Sequence, residues 1–183
     1  MAGYKTGSNN LEATNVIRSN ANAKEGEGPA SYSSDNKLVF ITRNNFVDGT
    51  RHISSSGMKL DLFVAEADAD GSWKNEEPFQ WNGSDFSTGF AHYAADGTLY
   101  FSSDRPGGRG GFDIYMSYKT KNGWSTPEIL DTININTPGD EITPYFEGRN
   151  LYFASTWHNG YGGYDIFTAE KTTYVGLYLA ILG

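Results

Sequence analysis

The stretch GRGGFDIY, Gly108–Tyr115, is written a second time as GYGGYDIF at Gly160–Phe167. The offset between Asp113 and Asp165 is 52 residues, and it also relates Gly111 to Gly163 and Phe101 to Phe153. A further step of 52 back from Asp113 reaches Asp61, in LDLFVA. A string that returns at constant spacing marks a structural repeat, and a period of this size is the signature of solenoids and propellers.

Working outward from the repeated string, each unit reads as four short strands. The first is PASYS, FAHYA or TPYFE; a tight turn follows as SDNK, ADGT or GRN, rich in residues that tolerate left-handed backbone. The second strand is LVFIT, LYFSS or LYFAS, β-branched and aromatic as a half-buried pleated surface requires. The third is DLFVAEA, DIYMSYK or DIFTAEK, and a fourth begins near Trp73 or Trp124. Alternation over five to seven residues between Gly, Asn and Asp turns predicts antiparallel sheet, and no window keeps a helical period. The expected fold is all-β: a partial or truncated β-propeller of about three four-stranded antiparallel blades. Residues 28–87 form the first blade, 88–141 the second, and 142–183 a third with an atypical end, while 1–27 hold a spare fourth strand and its connecting loop. Leu38 to Asp61 spans 23 residues where Leu99 to Asp113 spans 14, so nine residues are inserted within RNNFVDGTRHISSSGMK.

The chain has 183 residues, enough for one well-buried core. A formal net charge of -8 argues against binding a phosphate backbone, which needs a basic face. With no cysteine there is no disulfide and no thiolate zinc site, and His52, His92 and His158 stand far apart at non-equivalent places in the repeat. MAGYKTGSNN carries no legible signal peptide. YVGLYLAILG, Tyr174–Gly183, is about half the roughly 20 residues of a membrane span and reads as a strand or an aberrant end.

The strings DGTLYFSSDRPGGRGGFDIYMS, NGWSTPEIL and NINTPGDEITPYF resemble the WD-repeat-like propeller repeats of the TolB kind in bacterial envelope proteins. They are most similar to the propellers that precede OmpA-like domains in Bacteroidetes-type proteins. The resemblance covers about residues 10–171 and implies a non-enzymatic interaction platform, periplasmic or outer-membrane associated, with protein partners and no cofactor. No OmpA-like domain is present, so peptidoglycan binding does not carry over.

Several motifs have a second reading. Asp61, Asp113 and Asp165 could converge on a metal, but a short acid entering a strand after a glycine loop ordinarily accepts main-chain N–H groups and sets that loop. Glu66, Asp68, Asp70, Gly71 and Glu77 follow a calcium-loop spacing, yet the second unit makes the same connection as YKTKNGW, which has no such ligands. RPGGRGG and HNGYGG lead into strands rather than helices, unlike a phosphate loop. Trp73 and Trp124 recur once per unit, as packing residues do, whereas Trp157 falls in a connecting loop where contact residues concentrate. No nucleophile motif is present.

The loops joining second to third strands and fourth to first strands should share one end of the sheets. That end collects the insertion, Arg105, Arg109, Trp157, His158 and Tyr161, the expected binding residues. Two other functions fit the same pattern: a carbohydrate-binding propeller presenting Trp157 and neighbouring tyrosines, or the propeller part of a hydrolase whose catalytic domain lies elsewhere. Three units fall short of the four to eight blades of closed propellers, so self-association through open blade edges is expected.

Overall fold

The computed structural model describes residues 2–4, 13–16, 27–44, 46–47, 50–51, 59–130, 134–171 and 177–181. Every regular element among them is a strand, and all pairing is antiparallel. Strands β1 (Ala2–Tyr4) and β2 (Ala13–Val16) pair with each other in a two-stranded sheet of their own. A first large sheet takes β3 (Glu27–Tyr32) and β4 (Leu38–Asn44); then, after the small pair β5 (Phe46–Val47) and β6 (Thr50–Arg51), it takes β7 (Leu60–Ala67) and β8 (Trp73–Pro78). A second sheet holds β9 (Thr88–Tyr93), β10 (Thr98–Ser103) and β11 (Asp113–Thr120), with β12 (Gly123–Trp124) and β13 (Glu128–Ile129) along the far side of β11. A third holds β14 (Glu141–Glu147), β15 (Asn150–Ser155), β16 (Asp165–Lys171) and β17 (Leu177–Ile181) in chain order.

The split between β12 and β13 has a local cause. Pro127 has no N–H to give to a ladder, and Ser125 supplies a substitute: its Oγ accepts the Tyr118 N–H at 2.9 Å and its carbonyl accepts the Ser117 hydroxyl at 2.7 Å. The apolar C-terminal run contributes β17, which pairs with β16 from Phe167↔Ile181 to Lys171↔Leu177.

Strand register corrects the sequence alignment by one residue. Opposite the repeated aspartates stand Arg43, Ser103 and Ser155, so Val39, Leu99 and Leu151 are the equivalent positions rather than Leu38, Leu99 and Leu151. Arg43 precedes Asp61 by 18 positions, and Ser103 precedes Asp113 by 10, so the insertion is eight residues rather than nine. The error came from the turn before β4, which is longer than its counterparts. The β5–β6 pair lies inside the insertion.

Alternation then decides which face is buried. In each sheet one face carries the aspartate with Val39 and Ile41, Leu99 and Phe101, or Leu151 and Phe153; we term it the Asp face. The Asp face of the second sheet (Leu99, Phe101, Tyr115) packs on the opposite face of the first (Phe40, Leu62), joined by Phe79. The Asp face of the third (Leu151, Phe153, Phe167, Ala169) packs on Tyr100 and Ile114 of the second. Each buried Leu or Phe is worth about 1.5–3 kcal/mol, so these two interfaces dominate the stability of the stack.

Two repeated devices hold the edges. Asn82 Oδ1 accepts the Leu62 N–H at 3.1 Å while its Nδ2 donates to the Leu62 carbonyl at 2.8 Å. Asn136 does the same for Ile114, at 2.7 and 3.0 Å, and also donates to the Leu130 carbonyl. Each amide stands in for a neighbouring strand at the one place where the fourth strand has turned away. Each first strand also bulges, and in the second and third sheets Phe90 (φ 53°) and Thr143 (φ 54°) take the left-handed conformation there.

Candidate interaction surface

The repeated glycine–aspartate string builds matching loops. Asp113 Oδ2 accepts the main-chain N–H groups of Arg109 (2.7 Å) and Gly110 (3.3 Å), and Asp165 Oδ2 accepts those of Tyr161 (2.7 Å) and Gly162 (3.2 Å). The carboxylate thereby closes the loop that precedes it, as the sequence leads one to expect. Gly108 and Gly160 are required by close approach: a Cβ on either would stand 2.1 or 2.0 Å from the carboxylate oxygen. Burial pushes the Asp113 carboxyl above the ordinary range, against the lowering effect of the two amides and of Arg109. The loop before Asp61 lies outside the described residues; Asp61 itself is raised by burial.

These loops meet the connections that lead into the next sheet. Gly111 N–H donates to the Gly139 carbonyl (2.9 Å), Phe112 N–H to Asp140 Oδ1 (2.9 Å), and Glu141 N–H to the Phe112 carbonyl (2.7 Å). Asp140 is gripped from the third sheet as well: its N–H donates to Thr156 Oγ1 (2.9 Å), and the Tyr164 hydroxyl donates to its Oδ2 (3.2 Å). Burial and the neighbouring Asp140 charge both raise the Tyr164 phenol. Two kinds of connection therefore do share one end, and they are cross-braced there.

Of the five residues expected at this end, the structure separates two from three. Arg105 turns inward. Its Nε donates to Ser103 Oγ (3.0 Å) and its Nη2 to the Trp81 carbonyl (3.2 Å) and Thr88 Oγ1 (3.3 Å). The guanidinium carbon lies 5.0–5.1 Å from the ring centres of Phe86, Phe101 and Tyr115. Burial brings its pKa down to about 10. This is a packing arginine between the first and second sheets.

His158 does the same work between the second and third. Its Nε2 lies 3.0 Å from the Ile135 carbonyl, and its ring packs against Phe153 and Phe167 at 5.9 and 5.1 Å. Trp81 and Ile135 each precede the clamping asparagine, and Phe153 and Phe167 are the counterparts of Phe101 and Tyr115. In the third sheet the inward role has passed one residue along the chain. Trp157, which occupies the position of Arg105 in the repeat, is released outward.

Trp157 is 62% exposed and Tyr161 94% exposed, with Tyr164 half exposed beside them and Arg109 exposed on the preceding loop. Tyr164, the aromatic of the GGYD string, is not among the residues named from the sequence; its counterpart Phe112 packs edge-on against Phe90 at 6.1 Å, so the repeat itself does not mark this position as exposed. Three aromatic side chains thus project from a loop whose backbone is pinned by Asp165 and Asp140.

The calcium-spaced acids do not converge. Asp68 pairs with Lys74 at 2.7 Å, Glu66 accepts from Asn75 Nδ2 at 3.1 Å, and Asp70 closes its own turn by accepting from Ser72 N–H and Oγ at 2.9 and 2.7 Å. Among the described residues no three His, Asp or Glu side chains are grouped to hold a metal ion. No family model matches the chain, and no curated protein matches it.

Proposed function

We propose that the three sheets are blades of a TolB-type β-propeller. In this reading the chain is a non-enzymatic protein-interaction platform of a bacterial cell envelope, periplasmic or outer-membrane associated. Support for the propeller comes from the repeated packing, Asp face on opposite face, with the same loop closure and the same asparagine clamp in successive sheets. Support for the envelope comes from the resemblance alone. Among the described residues no helix is long and apolar enough to cross a membrane.

The observation that carries the binding role is the release of Trp157. With its packing duty taken over by His158, Trp157 joins Tyr161 and Tyr164 in an exposed aromatic patch on a braced loop, and such patches mark interaction sites. Trp, Tyr and Arg are the side chains that most often anchor interfaces, and Trp157, Tyr161, Tyr164 and Arg109 supply all three kinds. Asp113 and Asp165, by contrast, each hold two loop amides on Oδ2, which suits structural carboxylates.

The test is a pull-down from bacterial envelope extract with the immobilised chain and three variants. Trp157→Ala and Arg109→Ala should lose the retained protein, and Lys121→Ala, in the turn between β11 and β12, should keep it. Equal loss in all three would refute the reading. Binding on a glycan array that Trp157→Ala abolishes, with no protein retained, would replace it with the carbohydrate-binding one.

A further inference from the structure

The sequence holds three Asn–Gly pairs: Asn82–Gly83, Asn122–Gly123 and Asn159–Gly160. Each pair can react with itself, because without a Cβ on the second residue its main-chain nitrogen can reach the asparagine Cγ. As sequence the three are equivalent. The fold distinguishes them by what must be released first.

Asn82 has both ends of its amide committed, Oδ1 to the Leu62 N–H at 3.1 Å and Nδ2 to the Leu62 carbonyl at 2.8 Å, and it is half-buried. Asn122 is exposed, but the main chain on both sides of it is held. Its N–H donates to Thr120 Oγ1 at 3.2 Å, and Gly123 pairs with Thr120 across the β11–β12 ladder. The Gly123 carbonyl accepts the Thr120 hydroxyl at 3.2 Å, and the Trp124 N–H donates to Gln80 Oε1 at 2.9 Å. Asn159 and Gly160 are both exposed, and among the described residues neither the Asn159 amide nor the Gly160 N–H has a hydrogen-bond partner. They are the free link between two anchored points: His158, whose Nε2 lies 3.0 Å from the Ile135 carbonyl, and Tyr161, whose N–H donates to Asp165 Oδ2 at 2.7 Å.

We propose that Asn159 is a site of spontaneous deamidation in the folded protein. The Gly160 nitrogen attacks Asn159 Cγ, and the new bond closes a succinimide ring. The Cγ–Nδ2 bond breaks, and Nδ2 leaves as ammonia with the proton that the Gly160 nitrogen gives up. Water then opens the ring at either carbonyl, giving aspartate or isoaspartate, and nothing is oxidised or reduced. Both products carry a new carboxylate between Trp157 and Tyr161, and isoaspartate also adds a methylene to the main chain there. The effect on a partner rests on the reading of this loop as a binding surface; the reaction itself does not.

Peptide mapping by mass spectrometry follows all three sites in one sample of the full chain, kept at mildly alkaline pH with and without guanidinium chloride. In the unfolded chain the three should react at similar rates. Folding should slow Asn82 at least about tenfold, since two side-chain hydrogen bonds must break first. It should slow Asn159 by no more than about threefold, because no bond of the pair must open, and Asn122 should react more slowly than Asn159. On isoelectric focusing the folded wild type should develop an acidic form that Asn159→Ser does not; the side chain is exposed and unbonded, so this substitution leaves the fold intact, as circular dichroism would confirm. Protection of Asn159 by folding as strong as that of Asn82 would overturn the proposal. So would faster reaction at Asn122 than at Asn159 in the folded chain, or an acidic form that develops at the same rate in Asn159→Ser.

Discussion

Replacing Asn136 with alanine tests the edge clamp, and the molecule supplies its own control in Asn82. Asn136 is buried and bonds three main-chain groups: Ile114 N–H, the Ile114 carbonyl and the Leu130 carbonyl. The Ile114 carbonyl would keep a partner, because it also accepts the Leu130 N–H at 2.9 Å. The Ile114 N–H and the Leu130 carbonyl would lose the amide. At about 1–3 kcal/mol for each buried group left without a partner, together with a small cavity, Asn136→Ala should cost about 3–5 kcal/mol. Asn82 bonds only Leu62, whose carbonyl likewise keeps the Phe79 N–H at 2.8 Å, and Asn82 is half-buried, so water can replace it. Asn82→Ala should cost about 1 kcal/mol. In a chain of this length each kcal/mol moves the melting temperature by about 2–4 °C, so the two variants should melt about 5–15 °C apart. Asn136→Asp adds a further check: an ionised carboxylate keeps the acceptor but loses the donor, so it should be least stable at neutral pH and recover as the pH falls. Urea titrations followed by circular dichroism measure all three. Equal losses for Asn82→Ala and Asn136→Ala would show that the clamp carries no more energy where it is buried, and the reasoning would fail.

Asp113 should show a pH signature. Its folded pKa lies above the unfolded value of 3.8, so the folded state holds the proton more tightly. The residue's contribution to stability is therefore most favourable below that value and declines as pH rises through the raised one. Asp113→Asn should gain on the wild type between pH 4 and neutrality, and a constant difference across that range would contradict this. Arg105→Ala should lower stability by about 2–4 kcal/mol through lost hydrogen bonds and ring contacts while leaving partner binding intact. Trp157→Ala should do the reverse, and thermal melts run beside the pull-down would expose any failure of that separation. Calcium should not move the wild-type melting temperature; a rise that Asp68→Ala abolishes would mean that Asp68 leaves Lys74 to bind the ion.

The sequence by itself determined the strands, their antiparallel order and the loop closure by the repeated aspartate. These are local or periodic properties: alternation shows in adjacent residues, and Gly108, Gly160, Asp113 and Asp165 act within a few residues of one another. The register of the first unit escaped by one residue, because a longer turn before β4 shifts Val39 rather than Leu38 into line with Leu99. The asparagine clamp escaped as well, since Asn82 and Asn136 stand 54 apart and fall out of step with a period of 52. Only the tertiary structure decided which loop residues face water. Arg105 and Trp157 share a position in the repeat, but each fate depends on what else can fill the space above Phe101 or Phe153 and cap the facing carbonyl. His158 fills it in the third sheet, and its ring reaches the Ile135 carbonyl from 23 residues away. Burial of Leu62 and Ile114, and exposure of Ile166, likewise depend on a neighbouring sheet and not on the strand that bears them. Three similar strand sequences therefore carry one rule of pairing, and packing between sheets sets which of their side chains remain free to bind.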